Sequence, residues 1–175
     1  MELYLVRHTT PQIEKGICYG QTDIPVTNSF TEESDIIKLK LREIIPNSKI
    51  YTSPLSRCLG LAKTLTDQPI IDNRLMELNF GDWEMKAWKE IEKRTLNKWM
   101  KDFVNVSCPN GESYLTLHKR TTQFIKEIEE KNLSHAIIIT HGGVIRSILS
   151  YINETPLEKS FETEVAYGNI FKFQL

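Results

Sequence analysis

Ala136-Ile137-Ile138-Ile139-Thr140-His141-Gly142-Gly143 is a continuous apolar run that ends in a polar tetrad, and residues 144–151 resume at once with helical spacing. A strand that is apolar on both faces belongs inside a sheet covered on both sides. Leu3-Tyr4-Leu5-Val6 has the same character and also ends on charge, at Arg7-His8. Lys49-Ile50-Tyr51 and Pro69-Ile70-Ile71 are shorter strand candidates, and residues 166–173 read as a last strand at an edge.

Helical patterns fall between these runs. One is expected from Thr31 as N-cap, with Ile36, Ile37, Leu39, Leu41, Ile44 and Ile45 on its apolar face and Pro46 as its stop. A second has Ser53 as cap and Pro54 at its first position, and continues through Leu65. The longest runs over residues 112–130, with Leu115, Phe124, Ile125 and Ile128 facing inward. Alternating strands and helices imply an α/β fold with a mostly parallel sheet sandwiched between helices. The stretch 82–103, rich in Trp and Lys, reads as part of a small helical cap spanning about 78–113. It belongs to one domain covering residues 1–175. Residues 9–30, rich in Thr, Pro, Gly and Asn, read as a long functional loop.

Composition narrows the function classes. The chain has 175 residues, 22 Lys plus Arg against 23 Asp plus Glu, and a net charge of −1, so no global field recruits nucleic acid or an anionic membrane. Any positive field has to be local. Cys18, Cys58 and Cys108 form no CxxC pair, which speaks against the common zinc spacing and against a secreted disulfide framework. The apolar start is too short for a signal sequence, and no stretch approaches the roughly 20 apolar residues of a membrane span. A cytoplasmic protein with free thiols is expected.

In an open α/β sheet, ligands sit beyond the carboxyl ends of the strands. Val6-Arg7-His8 and Ile139-Thr140-His141 each deliver a histidine there, and Tyr51-Thr52-Ser53 leads to Arg57 at the same rim. Guanidinium forks at Arg7 and Arg57 suit a phosphate dianion, because each can donate two parallel hydrogen bonds. A neutral imidazole attacks phosphorus through one nitrogen when the other is held by a fixed acceptor. The helix start at Gly142-Gly143 and His141 suit charge on the transferring oxygens. Glu77, in Leu75-Met76-Glu77-Leu78, is the candidate acid for a leaving alkoxide, with Asp82 and Glu84 as nearby alternatives.

These blocks resemble the histidine phosphatase (phosphoglycerate-mutase-like) superfamily. Arg7-His8-Thr9 is similar to its Arg-His-Gly signature, and residues 51–58 are similar to its second phosphate-binding block. Glu77 to Glu84 resembles its acid block, and Thr140 to Gly143 its second-histidine block. The resemblance implies a three-layer α/β/α sandwich and a phosphohistidine intermediate on His8. It also implies Glu77 as proton donor, His141 as a catalytic and phosphate-binding residue, and neither cofactor nor metal. Thr9 and Met85 depart from it, standing where the family has or often has glycine.

Residues 16–25 and Pro109-Asn110-Gly111-Glu112-Ser113 resemble the α-ribazole phosphatases within the family. That points to α-ribazole 5′-phosphate as substrate, with Thr9, Tyr19, Gln21 and Thr22 as candidate substrate contacts. A phosphoglycerate mutase, a broad sugar-phosphate phosphatase and a silent phospholigand-binding module are the alternatives. A metallo-hydrolase built on His8, His141 and Glu77 is disfavoured, because two Arg beside a divalent ion repel it. His118 and His135 read as structural or exposed, and Trp83, Trp88 and Trp99 as cap packing.

Overall fold

The computed structural model describes residues 1–175. Strands β1 (Glu2–Arg7), β2 (Ser48–Thr52), β3 (Ile70–Ile71), β4 (His135–Thr140) and β5 (Ile170–Gln174) form one sheet in the order β3-β2-β4-β1-β5. Every pairing is parallel except that of β5 with β1. The mostly parallel sheet expected from the apolar runs is therefore present, with the antiparallel strand at its edge.

Alternation along the strands builds two cores. Leu3, Leu5, Ala136 and Ile138 face helices α4 (Tyr114–Glu129) and α5 (Gly142–Ile152), in one cluster of buried side chains. Tyr4, Val6, Ile137 and Ile139 face α1 (Phe30–Leu41) and α2 (Ser56–Leu65) in another. Helices thus cover both faces, which is why β1 and β4 are apolar along their interiors, Leu3–Val6 and Ala136–Ile139. A third cluster, Cys18, Trp83, Ile91 and Cys108, holds the cap, whose one regular helix is α3 (Lys93–Lys101). No helix is long and apolar enough to cross a membrane.

Several boundaries differ from expectation. Helix α1 has Ser29 at its N-cap, not Thr31, and ends at Leu41 well before Pro46. Of its apolar residues only Ile37 and Leu41 are buried, beside Ser34, while Ile36 and Leu39 are 47% and 62% exposed. Those two lie off the narrow i, i+4 stripe that meets the sheet. Helix α2 starts at Ser56 with Leu55 at the cap; the Ser53 hydroxyl meets His141 and accepts from the Leu55 N–H, ahead of the helix. Helix α4 starts at Tyr114 under a Ser113 cap, and Leu115 is half-buried while Leu117 takes an interior place. Strand β5 starts only at Ile170, because the chain turns through Gly168 (φ +70°), whose N–H donates to the His8 carbonyl.

Candidate active site

His8 and His141 are the residues that follow β1 and β4. Those strands pair with Arg7 opposite Thr140, so register alone brings the two imidazoles side by side. Their ring centroids are 5.1 Å apart at 62°. Ser53, the residue after β2, is added from the other side of β4, and its hydroxyl lies 2.8 Å from His141 Nε2. After β1 the chain crosses toward β2, and after β4 it crosses toward β5 on the opposite side. The crevice between these divergent connections is where such sheets bind ligands.

Both histidines are buried, at 1% and 0% exposure. Burial, the charge of Arg57 and that of Arg7 hold His8 well below the usual histidine pKa, against a hydrogen bond to Thr9 that works the other way. His8 Nδ1 lies 2.7 Å from the Thr9 carbonyl and must donate to it. The neutral ring therefore keeps its lone pair on Nε2. His141 is held low by burial first, then by His8, Arg57 and Arg7. Cys58 Sγ sits 3.4 Å from His141 Nε2, and burial keeps that thiol protonated.

Arg57 is fully buried, and no carboxylate pairs with it. Its guanidinium donates to the carbonyls of Thr22 and Gly20, in the 9–30 loop. Burying an ion costs several kcal/mol that two carbonyls only partly offset, so an anion bound beside Arg57 would be stabilised. Gly20 is required for this approach, because a Cβ there would stand 1.8 Å from the Leu78 carbonyl oxygen. Arg7 donates to the Val165 carbonyl and stacks 3.9 Å from the Tyr167 ring centre. The Nε atoms of Arg7 and Arg57 and the Thr9 hydroxyl are buried without a partner. Two cationic donors and a hydroxyl thus stand unsatisfied around His8.

Glu77 reaches the N-terminus of α5. Its carboxylate accepts from Gly143 N–H at 3.0 Å and from Leu78 N–H at 2.9 Å. The loop carrying it is pinned from behind by Arg120. That guanidinium donates to the carbonyls of Arg74, Met76 and Glu77 and is paired with Glu112. Glu112 in turn accepts from Asn79 N–H. Glu84 has a different role, accepting from the amides of Gln21, Thr22 and Phe80 and from the Thr22 hydroxyl. Burial opposes its charge, but those donors carry its pKa below the ordinary carboxylate value.

A cavity of ≈ 210 Å³ opens over this centre. Arg7, His8, Tyr19 and Glu77 line it; Arg57, His141, Thr9, Gln21 and Thr22 do not. Gln21 Nε2 donates instead to the Glu77 carbonyl, and the Thr22 hydroxyl is taken by Glu84, so both brace the loop behind the wall. The Tyr19 hydroxyl hydrogen-bonds that of Tyr167, at 2.8 Å. His118 meets Ser147 and His135 meets Glu2, both away from the cavity. No three His, Cys, Asp or Glu side chains converge in a way that could hold a metal ion.

Comparison with known proteins agrees with this geometry: residues 3–175 match the sequence model of the histidine phosphatase superfamily, branch 1. The chain belongs to that superfamily. Membership makes it an enzyme of the phosphatase kind that the four sequence blocks imply. A Hydrogenobacter thermophilus protein named for phosphoserine phosphatase activity is 31% identical, over 99% of this chain and 89% of its own. The adenosylcobalamin/alpha-ribazole phosphatase of Salmonella typhimurium is 25% identical over 96% and 87%. In structure, the alpha-ribazole phosphatase of Shigella flexneri superposes with a TM-score of 0.91 over 100% of this chain and 91% of its own. At 24% identity, that likeness speaks for the histidine phosphatase fold alone.

Arg146 was not legible as a site residue. It lines the cavity from α5, one turn after Gly142, with no carboxylate partner; burial and then the charge of Arg7 lower its pKa. The signal was available, since i and i+4 share a helix face. Tyr114, Tyr167 and Phe161 carry no comparable local pattern.

Proposed function

We propose that this histidine phosphatase hydrolyses phosphomonoesters through a phosphohistidine on His8. The observation that carries the reading is the Nδ1 contact to the Thr9 carbonyl, which leaves a neutral Nε2 among Arg7, Arg57 and His141. His8 Nε2 forms a bond to phosphorus as the ester P–O bond breaks. Arg7, Arg57, His141 and the Thr9 hydroxyl take the phosphoryl oxygens, and Glu77 gives its proton to the departing alkoxide. Water then attacks phosphorus, Glu77 takes its proton, and inorganic phosphate leaves with His8 neutral again. Residues 1–175 act as one domain, with the excursion over about 78–113 closing the cavity.

The substrate we propose is α-ribazole 5′-phosphate. Similarity to alpha-ribazole phosphatases along nearly the whole chain supports it, as do the loop 16–25 and the Gly111-Glu112-Ser113 block. Tyr19 would contact the substrate directly, while Gln21 and Thr22 would act through the loop they brace. Phosphoserine is the second reading, favoured by the 31% identical relative and by Arg146, an unpaired cation suited to a substrate carboxylate.

Rapid-quench mass spectrometry is expected to find acid-labile phosphate on the His8 peptide, and normal turnover by His8→Ala would overturn the mechanism. Ranking α-ribazole 5′-phosphate, phosphoserine and 3-phosphoglycerate by kcat/KM tests the substrate, with a higher value for phosphoserine replacing the first reading by the second. Release of phosphate, against its retention on product, separates a phosphatase from a mutase.

A further inference from the structure

A second cavity, of ≈ 380 Å³, lies against the first and is lined by apolar side chains alone. Leu78, Phe80, Trp88, Tyr114 and Phe161 line both, so the second opens directly from the catalytic one. Beyond them the annex is walled by Leu96, Trp99, Met100 and Phe103, from α3 and the turn after it. Its rings brace one another: Phe80 meets Trp88 at 88°, Phe103 meets Phe161 at 87°, and Trp88 lies over Trp99 at 27°.

Two of these residues are left in water without cover. Met100 is 63% exposed and Phe161 51% exposed. A concave apolar surface gains by being covered, and a continuous run of such residues leading from a reaction centre is the signature of a ligand subsite. A serine or glycerate group would strip its hydration here and find no hydrogen-bond partner. A flat apolar ring would meet ring faces and edges on several sides.

We propose that this annex is a subsite for an aromatic ring carried by the alcohol of the phosphomonoester, so that the enzyme selects substrates by the flat apolar bulk of the leaving group. This rests on the catalytic reading above for where the phosphate sits. The subsite itself is a binding claim and can be tested apart from turnover.

The probes are ethylphosphonate and 2-naphthylmethylphosphonate, which share the charged head and cannot be hydrolysed, measured by calorimetry on the full chain. The naphthyl compound is expected to bind at least about tenfold more tightly, the effect of burying part of one ring. The double variant Leu96→Gln/Met100→Gln should shrink that ratio at least about threefold, because it places amides on the wall without altering the phosphate centre. Met100→Leu should keep it. Each ratio is taken within one protein, so a loss of folded fraction cancels. Equal affinity for the two phosphonates, or a ratio unchanged in the double variant, overturns the subsite. Ethyl and 2-naphthylmethyl phosphates, alkoxides of similar basicity, then test turnover. If neither is hydrolysed while the binding ratio persists, the catalytic reading falls and the subsite stands.

Discussion

Replacing Gly143 by Ala separates the proposed proton donor from the rest of the centre. A Cβ on residue 143 would stand 2.5 Å from Glu77 Oε1 and 3.3 Å from its Cδ. Side-chain carbon essentially never approaches an oxygen closer than 3.0 Å, so the carboxylate must retreat by about half an ångström. The Gly143 N–H bond to Oε2, now 3.0 Å, stretches or breaks. A hydrogen bond to a charged group is worth about 1.5–3 kcal/mol, which sets a loss of about tenfold to a hundredfold if Glu77 acts in the transition state. Folding should lose about 0.5–2 kcal/mol, because the preference for Ala over Gly in a helix, up to about 1 kcal/mol, offsets only part of the lost bond. The assay is kcat/KM on an alkyl phosphate and on 4-nitrophenyl phosphate, with thermal unfolding as control. An alkoxide needs the proton and a nitrophenolate does not, so the loss should fall mainly on the alkyl ester. Glu77→Gln should give the same signature more strongly, and Glu84→Gln, whose carboxylate ties loop amides, should not give it. Equal losses on both esters, or none on either, would refute the assignment of Glu77.

Arg57→Lys keeps the charge but loses the planar fork, and kcat/KM is expected to fall at least about tenfold, or roughly 1.4 kcal/mol; wild-type kinetics would remove Arg57 from the phosphate site. His8 and His141 are held below the ordinary histidine value of 6.5, so the unfolded chain binds protons near that pH that the folded chain refuses. Stability should therefore be full above about pH 6.5 and fall as pH drops below it, by about 1.4 kcal/mol for each unit of depression per group. Urea unfolding between neutral pH and pH 5 measures this, in a window above that of the lowered carboxylates Asp72 and Glu84. A flat profile there would contradict the neutral burial of the pair. Met85 has φ 65° and is 52% exposed, a backbone region that costs a side chain about 1–2 kcal/mol. Met85→Gly should raise stability by up to about 1 kcal/mol, or roughly 2–4 °C in Tm, and a lower Tm would show that the Met side chain contributes more than its strain.

Much of the centre was legible before folding. Continuous apolar runs at Leu3–Val6 and Ala136–Ile139 required strands buried on both faces, and polar residues that terminate such strands emerge at one rim of a parallel sheet. Local pattern was therefore enough to nominate Arg7, His8, Arg57, Glu77 and His141. It misjudged helix ends where a capping hydroxyl had another use. Ser53 looks like a cap in sequence, but its oxygen is shared between His141 and the Leu55 N–H, and α2 begins three residues later.

What the chain determined alone is the sheet, the two covered faces and which polar residues stand at the strand ends, because period-2 burial and strand polarity are properties of consecutive residues. Which further side chains reach the centre was decided only in three dimensions. Arg120 and Arg146 lie on α4 and α5, and helical spacing puts Arg146 on the face of Gly142 without saying what that face meets. Yet packing aims Arg120 at the carbonyls behind Glu77 and Arg146 into the cavity. The apolar annex is invisible in sequence for the same reason: Leu78, Trp99, Tyr114 and Phe161 come from four separate stretches of the chain. A concave surface assembled from distant segments leaves no local periodicity to read.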